Sequence, residues 1–145
     1  MVGYFSKEPT DLALPVTEAQ FIATFGSADP TARPTELQAR RFFEHGGGSL
    51  IVVRVTDGKP LLDHASNLSG LHAAKIFGLQ LLLIPEVTRL PESQLREALT
   101  ELKSFADDEN LFVILDPPDG WNTAEQAVNW VQDYIPAITD GMAIY

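Results

Sequence analysis

Residues 81–115 read LLLIPEVTRLPESQLREALTELKSFADDENLFVIL. Leu81-Leu82-Leu83-Ile84 is a short apolar run stopped at Pro85, and Leu111-Phe112-Val113-Ile114-Leu115 is another, cut off by Asp116-Pro117-Pro118. Runs of this length without polar alternation are the pattern of strands covered on both faces. Between them Leu95, Ala98, Leu99, Leu102, Phe105 and Ala106 recur at i, i+3, i+4, i+7, i+10 and i+11, so the spacing predicts one helix over Pro91–Asp107. Pro91 fits its first turn, where no N–H is needed. A strand, a helix and a strand in this order make a crossover unit, which pairs the two strands in parallel.

The same alternation extends in both directions. Upstream, Leu50-Ile51-Val52-Val53-Arg54-Val55 is a β-branched apolar run between glycine and Asp57-Gly58, again a buried strand. Leu68–Phe77 reads as a helix with Leu68, Leu71, Ala73 and Ala74 on one side, ended by Gly78. Downstream, Thr123–Ile135 reads as a helix with Ala124, Ala127, Val128, Val131 and Ile135 on one stripe, and Met142–Tyr145 opens a further strand. Thr123 and Gln126 stand at the spacing of a capping box, as do Thr17 and Gln20, where Val16 and Phe21 add a hydrophobic staple. The helix begun at Thr17 ends at Phe25, with Gly26 to close it, and Pro30 and Pro34 occupy the next loop. Thr35–His45 is expected as another helix, opened by Thr35 with Gln38 and stopped by Gly46-Gly47-Gly48, and Val2-Gly3-Tyr4-Phe5 as a short strand. The expected fold is a three-layer α/β domain with a mainly parallel sheet flanked by helices, preceded by a short helical N-terminal portion. One domain over 1–145 is expected, with the helical lead-in to about residue 48 and the alternation over 49–145.

Composition narrows the function classes. Ten Lys and Arg against 20 Asp and Glu give a net charge of −10, which repels phosphate backbones and anionic lipid at long range. The chain has no Cys, hence no disulfide, thiol nucleophile or thiolate metal site. No apolar stretch is long enough to cross a bilayer, and no basic-then-apolar leader is seen. A soluble, acidic, cytoplasmic protein is expected.

Few residues suggest chemistry. Asp63-His64 with Ser66 and Ser69 holds the side chains of a hydrolase triad, but Asn67 and Leu71 stand where a nucleophile elbow needs glycines around Ser69. Gly46-Gly47-Gly48 leaves a helix and opens a strand, the reverse of a phosphate loop. Asp116-Pro117-Pro118-Asp119-Gly120 lies past the C-terminal end of a parallel strand, where open α/β sheets place ligands. It is the best site address: Asp116 and Asp119 there would serve as Mg²⁺ ligands or an acid–base pair, or else the segment is a rigid turn. His45, His64 and His72 lack metal-ligand spacing, and Asp107-Asp108-Glu109 reads as a solvated loop at a helix end. Arg40 and Arg41 with Phe42 and Phe43 offer a binding patch or, with both phenylalanines facing inward, core. Trp121 and Trp130 are core residues or interface anchors.

Taken in order, Pro15-Val16-Thr17 with Phe21 and Phe25-Gly26, Phe42-Phe43-Glu44-His45-Gly46-Gly47-Gly48, Ile51-Val52-Val53-Arg54-Val55, Gly70-Leu71, Leu82-Leu83-Ile84-Pro85 and Phe112-Val113-Ile114-Leu115-Asp116-Pro117-Pro118 form a familiar succession. It resembles the tail sheath proteins of contractile phages and related contractile injection systems, over nearly the whole chain. The matching portion is their subtilisin-like α/β domain, named for architecture and not for proteolysis. The resemblance implies a non-enzymatic structural subunit with no cofactor, metal or catalytic residue. Such subunits stack as hexameric rings around an inner tube and contract to drive it through a target envelope. The implied partners are other copies of the chain, the inner tail tube protein, and baseplate and terminator proteins, with no nucleic acid and no membrane. The implied location is the bacterial cytoplasm during assembly, then a virion tail or injection particle. The family's N- and C-terminal arms, which add strands to neighbouring subunits, have no counterpart in this sequence, so a fragment or a short homologue is expected. The alternative is a small α/β enzyme or ligand-binding domain using Asp116–Asp119. A third reading is an adaptor docking through Trp121 and the Phe42/Phe43 region.

Overall fold

The computed structural model describes residues 1–5, 13–25, 33–55, 61–62, 70–134 and 141–144. The chain is a mixed α/β protein that divides into two compact units, Met1–Gly78 and Leu79–Tyr145.

The first unit is built on the strand Leu50–Arg54 (β3), whose Val52 and Val53 point to opposite faces and are both fully buried. Val2–Gly3 (β1) pairs with it in parallel and Ala13–Val16 (β2) antiparallel, in the order β1-β3-β2. Strand β2 is not expected from the sequence. Its Pro15 is tolerated because β2 lies at the sheet edge, where one side of the strand needs no ladder partner. Arg54 is buried and donates from Nε to the carbonyl of Phe5 at 2.9 Å, tying the end of β3 to the segment after β1.

Helix α1 spans Glu18–Phe25 and starts as expected: the Thr17 N–H donates to Gln20 Oε1 at 2.9 Å, and Val16 and Phe21 are both buried. Helix α2 (Pro34–Glu44) begins one residue earlier than expected. Pro34 supplies a helical φ without needing an N–H partner, and Glu36 reaches back to the Arg33 N–H at 3.4 Å, so the start is set by Arg33 and Glu36 and not by Thr35 and Gln38. Phe5, Phe21, Phe25 and Phe43 form one aromatic cluster with centroids 4.7–6.1 Å apart. Helix α3 (Gly70–Ala74) continues as a 3₁₀ turn over Lys75–Phe77 and is closed by Gly78 at φ +57°; it packs Leu71, Ala73 and Ala74 beside β1 and β3. Leu68, Gly26 and Pro30 lie outside the described residues.

The second unit contains the parallel sheet anticipated from residues 81–115. Leu81–Leu83 (β4), Phe112–Leu115 (β5) and Met142–Ile144 (β6) run in parallel in the order β4-β5-β6, with Leu82, Val113 and Met142 in one cross-strand row. That row and Leu115 are buried. On the other face Leu81 and Phe112, paired in register, stay 48% and 38% exposed. Helices α4 (Glu92–Glu109) and α5 (Ala124–Tyr134) flank the sheet. All six residues of the expected α4 stripe are buried. Pro91 sits just before the helix, at its cap, where its carbonyl accepts from the Gln94 and Leu95 N–H groups.

Asp107-Asp108-Glu109 is the last turn of α4 and not a loop. The helix closes only where Asn110 takes φ +51°, a conformation asparagine tolerates, and Lys103 pairs with Asp107 at 2.5 Å one turn back. Helix α5 opens on its capping box: the Asn122 and Thr123 N–H groups both donate to Gln126 Oε1, at 2.7 and 3.1 Å. No helix among the described residues is long and apolar enough to cross a membrane.

Candidate functional site

The carboxyl ends of β4 and β5 lie side by side because the strands are parallel neighbours, so the loops that follow them converge. After β4 the chain turns through Pro85-Glu86 into a 3₁₀ turn, Val87–Arg89; after β5 it passes Asp116-Pro117-Pro118 and turns at Asp119-Gly120, where Gly120 has φ +89°. Arg89 bridges the two loops. Its Nη2 lies 3.1 Å from Asp119 Oδ1, its Nε donates to both Asp119 oxygens, and its Nη1 lies 3.9 Å from Asp116 Oδ2. Nη1 also donates to the Pro85 carbonyl. The expected pair of carboxylates is thus brought together, but around a guanidinium that takes the place a divalent cation would need. Asp116 is mostly buried while Asp119 is 76% exposed. Arg89 carries no motif in the sequence; its position past a parallel strand's end, next to the Asp116 loop, is the one signal that points to it.

Beside this cluster the surface turns apolar. Pro117 and Trp121 from the β5–α5 loop, Ala127, Val128 and Val131 from α5, and Ile144 from β6 line an open groove of about 750 Å³, with the Gln132 amide as a polar edge. Neither Asp116 nor Asp119 lines it. Ala127, Val128 and Val131 belong to the stripe that marks α5 as amphipathic, yet Val128 is 53% exposed and the helix's buried residue is Tyr134. Trp121 meets Trp130 edge-on at 5.6 Å, Trp130 lies tilted against Tyr134 at 4.7 Å, and Arg96 of α4 caps the row 5.0 Å from the Tyr134 ring. The two tryptophans, undecided in the sequence, therefore form one aromatic row that ends in the groove.

The remaining candidates resolve locally. The triple glycine ends α2: Gly46, at φ +89°, donates to the Phe43 carbonyl and Gly47 to that of Phe42, the paired bonds of a Schellman cap. A Cβ on Gly47 would stand 2.3 Å from the Phe42 ring, so the ring lies directly over that glycine. Phe43 is core, but Phe42 is 37% exposed, so only one of the two phenylalanines faces inward, as adjacent helical positions require. Arg40 pairs with Glu44 at 2.8 Å, and the His45 ring meets the Arg41 carbonyl at 2.8 Å. Asp63, His64, Ser66 and Ser69 lie outside the described residues, among which no group of three or more His, Asp or Glu side chains is placed to hold a metal ion. In comparisons with known proteins, no family model and no curated protein matches the chain.

Proposed function

We infer that the chain is a scaffolding domain of the contractile-sheath type, acting by self-assembly and not by turnover. The observation that carries this reading is how the residues of the resemblance are employed. Phe43 fills the aromatic cluster, Gly46 and Gly47 cap α2, and Val52 and Val53 centre the first sheet. Leu82, Val113 and Leu115 form the buried face of the second sheet, while Asp116 closes onto Arg89. Each supports architecture. The strand-end carboxylates are engaged with a cation, and the concavity beside them is apolar.

On this reading the partners are further copies of the chain, an inner tube, and baseplate and terminator proteins; the setting is the bacterial cytoplasm during assembly and a phage tail or injection particle afterwards. Exposed Leu81 and Phe112 are suited to burial between subunits. The test is electron microscopy of the natural protein that carries this sequence, under assembly conditions. Rings or tubes are expected. Strict monomers under all assembly conditions, or Mg²⁺ binding and substrate turnover abolished by Asp116→Asn, would overturn the assignment.

A further inference from the structure

The charge of the protein is distributed very unevenly. Residues 79–145 contain three Lys or Arg and twelve Asp or Glu, so this unit carries −9 of the chain's −10, while residues 1–78, with seven against eight, carry −1. The three cations of the acidic unit are all engaged at home: Arg89 with Asp116 and Asp119, Arg96 with the Asp133 carbonyl at 3.2 Å and the Tyr134 ring, and Lys103 with Asp107. The apolar groove lies on this unit, with Val128 at its open side. Glu125, exposed, precedes Val128 by three residues and shares its side of α5.

An apolar groove in a strongly negative field selects its occupant by charge. A second copy of the chain would bring either another −9 unit or a −1 unit to it, so net charge draws neither toward the groove as it would draw a basic segment. An anionic ligand or nucleic acid is repelled. We propose that the α5 groove docks a basic amphipathic segment of another protein, with a large apolar side chain seated against Val128, Val131 and Trp121 and flanking lysines or arginines drawn by Glu125 and the unit's net negative charge. The apolar contact holds the complex, and the field speeds encounter and rejects acidic partners. The inference does not depend on the sheath assignment, since it rests on the groove and its charge alone.

The chain's two tryptophans both belong to the aromatic row that ends in the groove, so their emission reports occupancy directly. The 145-residue protein is titrated with three peptides of about 18 residues: a Leu/Lys sequence with a helical apolar stripe, the same stripe with Glu for Lys, and a Ser/Lys sequence without it. The Leu/Lys peptide is expected to saturate at one per chain with a shift in tryptophan emission. Its affinity should fall several-fold between about 50 and about 300 mM NaCl. Val128→Glu, at an exposed helical site, should keep the fold by circular dichroism and weaken binding about tenfold or more, although it adds negative charge. Ala127→Glu is the second variant in the same groove and should act alike. Equal or tighter binding by both folded variants would reduce the effect to bulk charge and overturn the proposal. Equal binding of the Glu peptide would overturn it too, as would self-association of the protein alone that Val128→Glu abolishes.

Discussion

The guanidinium of Arg89 holds two carboxylates of unlike exposure, and that difference decides what each contributes. Asp119 is 76% exposed, so its ion pair is screened by water and Asp119→Asn should change stability by less than about 0.5 kcal/mol. Asp116 is mostly buried and loses its neighbouring cation when Arg89 is removed, so Arg89→Ala should cost about 1–3 kcal/mol, read from the urea midpoint. Equal effects of the two substitutions would contradict this. At the other end of the chain the Met1 amine is buried and donates to the Ile51 carbonyl at 2.7 Å, and desolvation lowers its pKa from 8.0 to about 5. The folded protein therefore keeps this group neutral at a pH where the unfolded chain protonates it. The unfolded state binds more protons between about pH 5 and about pH 8, so stability rises with pH across that window and is fully present above it. Raising the pH from about 6 to about 8 should add on the order of 2 kcal/mol to the unfolding free energy of the chain with a free Met1 amine. A flat profile would mean the amine reaches water.

At the scale of elements, the end of α2 separates two roles within one glycine run. Gly46 needs its positive φ, whereas Gly48 has neither a positive φ nor any atom within 4 Å of the place a methyl group would take. Gly46→Ala should lower stability by about 1 kcal/mol and Gly48→Ala by nearly nothing, compared by thermal unfolding. Gly47→Ala should displace the exposed Phe42 ring instead, seen as a chemical-shift change confined to that residue and its contacts. Such ends are legible in the sequence because their signals are local: Thr17 with Gln20, Thr123 with Gln126, the α4 period, and glycines after an aromatic helix. What stays hidden depends on partners distant in sequence. Strand β2 is four residues with a proline, and only its pairing with β3 makes it a strand. Arg89 is one arginine in a loop until parallel pairing sets Asp116 and Asp119 beside it. Periodicity marks an apolar stripe on α5, but a period states that a helix has an apolar face, not that the fold covers it.

At the scale of the whole molecule the uneven charge has a consequence for stability that is separate from any partner. Twelve acidic residues packed into one unit repel one another in the folded state more than in the expanded chain, so screening by salt should favour folding. The repulsion is sharpest where it adds to the helix dipole, at Asp107-Asp108-Glu109 in the last turn of α4. Of these, Asp107 is paired with Lys103 and Asp108 is exposed. Asp108→Lys removes two units of negative charge from the unit and places a cation beside the carbonyl end of α4. It should raise stability by about 0.5–1 kcal/mol at low ionic strength, with Asp108→Asn giving roughly half. The better helix propensity of lysine over aspartate also contributes, but that part is independent of salt. Urea unfolding in about 20 and about 500 mM NaCl separates the two, because the electrostatic part shrinks as the Debye length falls. A gain that stays constant across this range would assign the whole effect to propensity and leave the concentrated charge of residues 79–145 without influence on the fold; a gain that fades with salt, alongside a wild-type midpoint that rises with it, is the expected result.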